Sequence, residues 1–117
     1  MLRQMLKSKI HRATVTDANL DYQGSLSLDP VLLRKADILP NEKVLVVNLA
    51  NGERFETYAI RGKKGEVCLN GAAAHLGRKG HKVIVMTFAL VEDRQSRKHK
   101  PRVVHVDAEN RPRSGAR

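Results

Sequence analysis

Arg54 and Tyr58 lie four residues apart in Arg54-Phe55-Glu56-Thr57-Tyr58. On a strand such residues project from one face. A guanidinium there can hold a carboxylate through paired, charge-assisted hydrogen bonds. Thr57 points to the opposite face of a regular strand and, taken alone, is a β-favouring residue. Lys9 and His11 also share a face, and Lys9 is a second cation that can meet a carboxylate. Asn70 supplies a hydrogen-bonding amide just before Gly71-Ala72-Ala73-Ala74, small residues that let backbone N–H groups approach a ligand closely. Gly24-Ser25, by itself, reads as an ordinary turn. His75, His81, His99 and His105 show no paired ligand spacing with cysteine or acids, so no metal site is expected.

These residues need a frame. Lys9 to Thr16 alternates as a strand, with Lys9, His11, Ala13 and Val15 on one face. Asp17 to Asp21 is turn-like, and Leu26 to Leu28 is a short strand. Asp29-Pro30 predicts a helix start, with Asp29 as N-cap and Pro30 first in a helix that runs to about Ala36. Val44 to Leu49 reads as a buried strand. Asn51-Gly52 signals a two-residue hairpin, and Arg54 to Arg61 is the returning strand. Glu66 to Leu69, Lys82 to Leu90 and Arg102 to Val106 are further strands. Asn70 to Leu76 is a loop opening a helical turn. Many short strands with little helix predict a small closed β-barrel.

The chain has 117 residues, enough for one small domain. Aromatic residues are 3% and there is no Trp, so the core must be aliphatic. The single Cys68 excludes an internal disulfide and reads as a small buried hydrophobe. No segment has the apolar length of a signal peptide or a membrane span, which leads us to expect a cytoplasmic protein. The net charge of +10 is the footprint of a nucleic-acid binder. From Glu92 to Arg117 there are eight Lys or Arg against four acids, and the rest of the excess is scattered. No stretch alternates basic and aromatic residues as single-strand binders do. A small basic nucleic-acid-binding β-barrel is therefore the alternative reading.

Four segments together carry a more specific message. They are Met5 to Arg12, Tyr22-Gln23-Gly24-Ser25, Asn51 to Ile60 and Asn70 to His75. In this order and at this spacing the chain resembles the pyruvoyl-dependent aspartate 1-decarboxylase family, from Met1 to about Asn110. The resemblance implies a mainly β fold, a small double-psi β-barrel with short helices, spanning residues 1–110. Residues 111–117 would then be a basic, disordered tail. It also implies a homotetramer with sites at subunit interfaces, and a zymogen that cuts itself between Gly24 and Ser25. The activity implied is decarboxylation of L-aspartate to β-alanine, for pantothenate synthesis.

That chemistry suits the residues. Removing a carboxyl group from an α-amino acid leaves electrons on the α-carbon, and no standard side chain is a sink for them. A pyruvoyl group derived from Ser25 supplies a ketone for a Schiff base with the substrate amine. By resemblance, Arg54 and Lys9 hold the retained carboxylate, and Tyr58 is the proton donor. Thr57 polarises the carbonyl at the cleavage site and contacts substrate. Gly71, Ala72 and Ala73 contact substrate, while His11, Asn70 and Tyr22 support processing. Glycine before the serine would tolerate strained backbone angles and leave its carbonyl open to attack.

Two departures are local. Val47 stands where some members carry Trp, and Gln23 stands where Glu is common. Neither changes the reacting atoms. An accessory maturation factor is a further partner that the resemblance leaves open.

Overall fold

Aliphatic residues at alternate positions build the wall of this protein. In the computed structural model, which describes residues 1–114, strand β4 (Lys43–Asn48) buries Val44, Val46 and Asn48 and leaves the residues between them partly exposed. The other strands are β1 (Leu2–Thr14), β2 (Asp17–Asn19), β3 (Ser25–Leu28), β5 (Arg54–Arg61), β6 (Val67–Asn70), β7 (Lys82–Glu92), β8 (Arg102–Val106) and β9 (Pro112–Arg113). Two short helices, α1 (Pro30–Lys35) and α2 (Asp93–Ser96), and a 3-10 turn over Gly71–Leu76 complete the fold. Asp29 caps α1 as expected, accepting from Val31 N at 2.7 Å.

The strand order is β2-β6-β3-β5-β4-β7-β1-β8-β9. The sheet closes because β1 and β2 are almost one run of chain, separated by Val15 and Thr16 alone. Val15 N donates to His81 O, and Thr16 N donates to Val67 O, both at 2.8 Å. The same stretch thus ties the start of β7 to the start of β6, and the expected mainly β barrel with short helices is what forms. Three pairings, β2–β6, β3–β5 and β1–β8, are parallel. The interior is aliphatic, with Ile10, Leu26, Leu28, Val44, Val46, Val67, Leu69, Val83 and Val85 essentially without exposure.

Several local expectations need correction. The first strand begins at Leu2, not Lys9. Its outer half is exposed or half-buried on both faces, so it carries no alternating pattern to read. The face expected to hold Lys9, His11, Ala13 and Val15 is broken by a bulge between Ile10 and Ala13, where Arg12 takes φ of 64°. Before the bulge Ile10 points inward; after it Ala13 and Val15 do. Asp17–Asn19 is a strand rather than a turn, because it pairs with β6. The Asn51-Gly52 turn is a four-residue loop: Asn48 N donates to Glu53 O, and Asn48 Oδ1 accepts from Ala50 N. In the expected tail, Pro112–Arg113 pair with β8 at the sheet edge, where a missing N–H is tolerated. Residues 115–117 of that tail lie outside the described residues.

Candidate active site

Strands β3 and β6 are buried on both faces, unlike the other strands. Leu26, Leu28, Val67 and Leu69 face the core. By period two, Ser25, Ser27, Cys68 and Asn70 must then face the outer side of the wall. The antiparallel register sets Ser25 opposite Asn70 and Ser27 opposite Cys68. All four are buried, with Ser25 at 1% and Asn70 at 3% exposure. Buried polar groups need partners, and here they find one another. Asn70 Nδ2 donates to Ser25 Oγ at 3.0 Å and to Ser27 Oγ at 2.9 Å. Cys68 Sγ–H donates to Asn70 Oδ1 at 3.2 Å. Ser25 Oγ–H reaches Gln23 O at 3.2 Å. Gln23 thus meets Ser25 through its main chain, which any residue supplies.

The chain enters β3 through exposed Gly24. Its backbone is not in the left-handed region, and an added Cβ would meet nothing within 4 Å. The glycine that geometry requires is Gly71. Its φ is +62°, and a Cβ there would lie 2.7 Å from Gly24 N and Cα and 3.0 Å from Tyr22 O. The 3-10 turn therefore presses its first residue against the Gly24-Ser25 segment. Within that turn Ala73 is buried in the core and Ala72 is exposed.

Strand β5 runs parallel beside β3, with Leu26 opposite Ala59. Running that register back one residue sets Ser25 beside Tyr58. Arg54 and Tyr58 lie on the outer face, and Val47 stands directly opposite Arg54. Thr57 is half-buried on the other face, opposite Val44. The hydrogen bonds on Ser25 come from Asn70 and Gln23, not from Thr57.

Lys9 and His11 are placed elsewhere. They lie on β1, with Lys9 between Met86 and Val103. Strands β5, β4 and β7 separate β1 from β3 in the sheet order. His11 stands opposite His105, the two rings edge to face with centroids 5.6 Å apart. Its Nδ1 is buried without a hydrogen-bond partner among the described residues. Burial first, then Lys9, His105 and Arg12, holds its pKa below the ordinary value. The expected site residues thus form two groups, one around Ser25, Asn70, Gly71 and Tyr58, the other around Lys9 and His11. Ser27, Cys68 and His105 were not expected. The i, i+2 spacing of Ser25 with Ser27, and of Cys68 with Asn70, is the signal that marks the first two, while His105 is brought to His11 only by strand pairing.

A cleft of about 500 Å³ opens beside the polar quartet, lined in part by Tyr22, Ser27, Arg61, Cys68 and Asn70. Among the described residues no cluster of three His, Cys, Asp or Glu is arranged for a metal ion, and no helix is long and apolar enough to cross a membrane.

The family model described as aspartate decarboxylase matches residues 1–113. The chain is 54% identical to the aspartate 1-decarboxylase of Thermoanaerobacter pseudethanolicus over 96% of its own length and 97% of the relative's. It is 55% identical to that of Syntrophomonas wolfei over 94% and 95%. It is 57% identical to that of Desulfitobacterium hafniense over 96% and 90%.

Proposed function

This chain belongs to the aspartate decarboxylase family and decarboxylates aspartate, and we propose that it makes the required electron sink from its own Ser25. The Ser25 Oγ attacks the Gly24 carbonyl carbon. The Oγ–C bond forms, the Gly24–Ser25 C–N bond breaks, and the Oγ proton passes to nitrogen, leaving an ester. Loss of the Ser25 α-proton then breaks the Cβ–Oγ bond. Gly24 departs as a carboxylate, and dehydroalanine remains at position 25. Water replaces the nitrogen as ammonia and leaves a pyruvoyl group. That group supplies a ketone for the substrate amine and a sink for the electrons released with carbon dioxide.

The observation that carries this reading is the setting of Ser25 Oγ, buried, one residue from Gly24 and hydrogen-bonded by Asn70 Nδ2. The surroundings fit the group: an amide donor suits an oxygen that becomes acceptor-only, and Gly71 leaves room that a side chain would fill. Arg54 holds the substrate's retained carboxylate. Tyr58, beside Ser25 in register, delivers the proton that replaces the lost carboxyl group. Gly71, Ala72 and Ala73 meet the substrate through their main chain, the Ala73 side chain being buried in the core. Tyr22 and Asn70 hold the cleavage segment, and the product is β-alanine, a precursor for pantothenate in the cytoplasm.

Lys9 and His11 are separated from Ser25 by intervening strands. They contribute through a homotetramer, in which one copy's β1 face meets a neighbour's site. No observation favours the nucleic-acid alternative, since the similarity over nearly the full length is to decarboxylases.

Denaturing mass spectrometry tests the central step. The expected result is two fragments, residues 1–24 and a pyruvoyl-started 25–117. A chain that stays whole after prolonged incubation, yet decarboxylates aspartate, would overturn it.

A further inference from the structure

Asn70 has a choice that its own shape does not settle. The oxygen and the NH2 of an amide are nearly the same size, so the side chain fits its pocket in two orientations related by a flip. The serines do not decide between them, because a hydroxyl both donates and accepts. The third partner does. Cys68 Sγ lies 3.2 Å from Asn70 Oδ1, and a thiol is a poor acceptor for an amide NH2. Burial, with Glu66 and Asp17 nearby, raises the Cys68 pKa against one opposing backbone N–H from Asn19. The sulfur therefore keeps its proton and remains a donor.

The orientation matters most after the first bond change. Once Oγ has moved its proton to nitrogen and joined the Gly24 carbon, the ester oxygen is an acceptor only. With NH2 toward it, Asn70 continues to donate. With the amide flipped, Oδ1 would face the ester oxygen lone pair to lone pair, and the buried acceptor would lose its donor. The same holds when Oγ leaves as part of the Gly24 carboxylate.

We propose that Cys68 is a positioning residue for self-cleavage: by donating to Asn70 Oδ1 it holds the Asn70 NH2 toward Ser25 Oγ through the acyl shift. Ser27 Oγ, 2.9 Å from Asn70 Nδ2, accepts from the amide in this orientation without selecting it. This rests on the reading of Ser25 as the cleavage residue.

The test compares the rate of appearance of the 1–24 fragment in wild type, Cys68→Ala and Cys68→Ser by denaturing mass spectrometry, with melting curves to show that each is folded. Losing one net hydrogen bond corresponds to about a fivefold change in rate. Cys68→Ala is expected to slow cleavage by about that factor, and Cys68→Ser, which keeps a donor, to restore most of it. Alanine at the wild-type rate, or serine as slow as alanine, would overturn the proposal. A second readout does not need cleavage. In NMR spectra of uncut Ser25→Ala protein, the Asn70 side-chain NH2 protons should exchange slowly with solvent, and adding Cys68→Ala should shift both signals and speed that exchange. Unchanged signals would overturn the proposal. A wild type that never cleaves would defeat the self-cleavage reading, and the amide signals would still decide the role of Cys68.

Discussion

Asn70 and Ser25 stand directly opposite each other on β6 and β3, joined by a 3.0 Å hydrogen bond from the Asn70 amide to the Ser25 hydroxyl. The bond lies on the outer face of a barrel wall, where a short strand would ordinarily meet water. Both residues are instead buried. Replacing Asn70 with alanine removes the donor for two buried hydroxyls, each worth about 1–3 kcal/mol when left unsatisfied. Conversion of the chain to its two fragments should slow by on the order of tenfold or more. A time course by mass spectrometry gives the rate, and an unchanged rate would remove Asn70 from the processing machinery.

Gly71 is held at φ of +62° against Gly24. Gly71→Ala should lower stability by about 1–2 kcal/mol from backbone strain alone. It should also displace the cleavage segment and slow the cut. Calorimetry and the fragment time course read the two effects separately. A variant as stable and as fast as wild type would show that the close approach is unnecessary.

Arg54 and Tyr58 share the outer face of β5 and should separate binding from chemistry. Arg54→Lys loses the paired hydrogen bonds and should raise KM for aspartate by about tenfold. Tyr58→Phe should lower kcat by about 10²–10⁴-fold, the usual range for a positioned acid. Steady-state kinetics on fully cleaved protein makes the comparison. An Arg54→Lys variant that changes kcat alone would contradict the assigned role.

Asn110 is a structural key without a catalytic role. It is fully buried with φ of 64°. Its Oδ1 accepts from Thr14 N at 2.7 Å, and its Nδ2 donates to Thr14 O and Gly65 O at 2.8 and 3.0 Å. It therefore pins the C-terminal segment to the end of β1 and to the turn before β6. Asn110→Ala should cost about 2–4 kcal/mol, read as a lower urea midpoint with the slope unchanged. A midpoint equal to wild type would mean that water replaces the amide at no cost.

His11 should titrate below its ordinary value of 6.5, because burial, with Lys9, His105 and Arg12 beside it, disfavours its charged form. Lys82, Arg113 and Asp107 line the same cleft. Folding lowers the pKa, so the unfolded chain holds more protons between the two values. The stability linked to His11 is fully present above about pH 6.5 and is lost as pH falls through the folded value. An NMR titration should show the low midpoint, and Lys9→Ala should move it upward. A Lys9→Ala midpoint lower than wild type would contradict the assigned sign.

Much of this protein was legible along its chain. The bounds of β5 are those expected, Arg54 to Arg61, and Asp29-Pro30 opens α1 because capping is decided within three residues. The opposite faces of Arg54 and Thr57 follow from period two alone. Other features were not legible, since they depend on partners far away. Asp17–Asn19 is a strand because β6 is there to pair with it. The bulge at Arg12 reverses which side of β1 is buried, and no local pattern announces it.

The sequence by itself determined the chemistry at hand: a serine after a glycine, an arginine and a phenol on one face, an amide before small residues, and the family they belong to. Tertiary structure decided where that chemistry is usable. Ser25 and Asn70 are 45 residues apart, and only the antiparallel pairing of β3 with β6 brings them together. Burial of their outer face then obliges Ser25, Ser27, Cys68 and Asn70 to satisfy one another. Periodicity assigns a residue to a face, but whether that face is covered depends on contacts that local sequence does not encode.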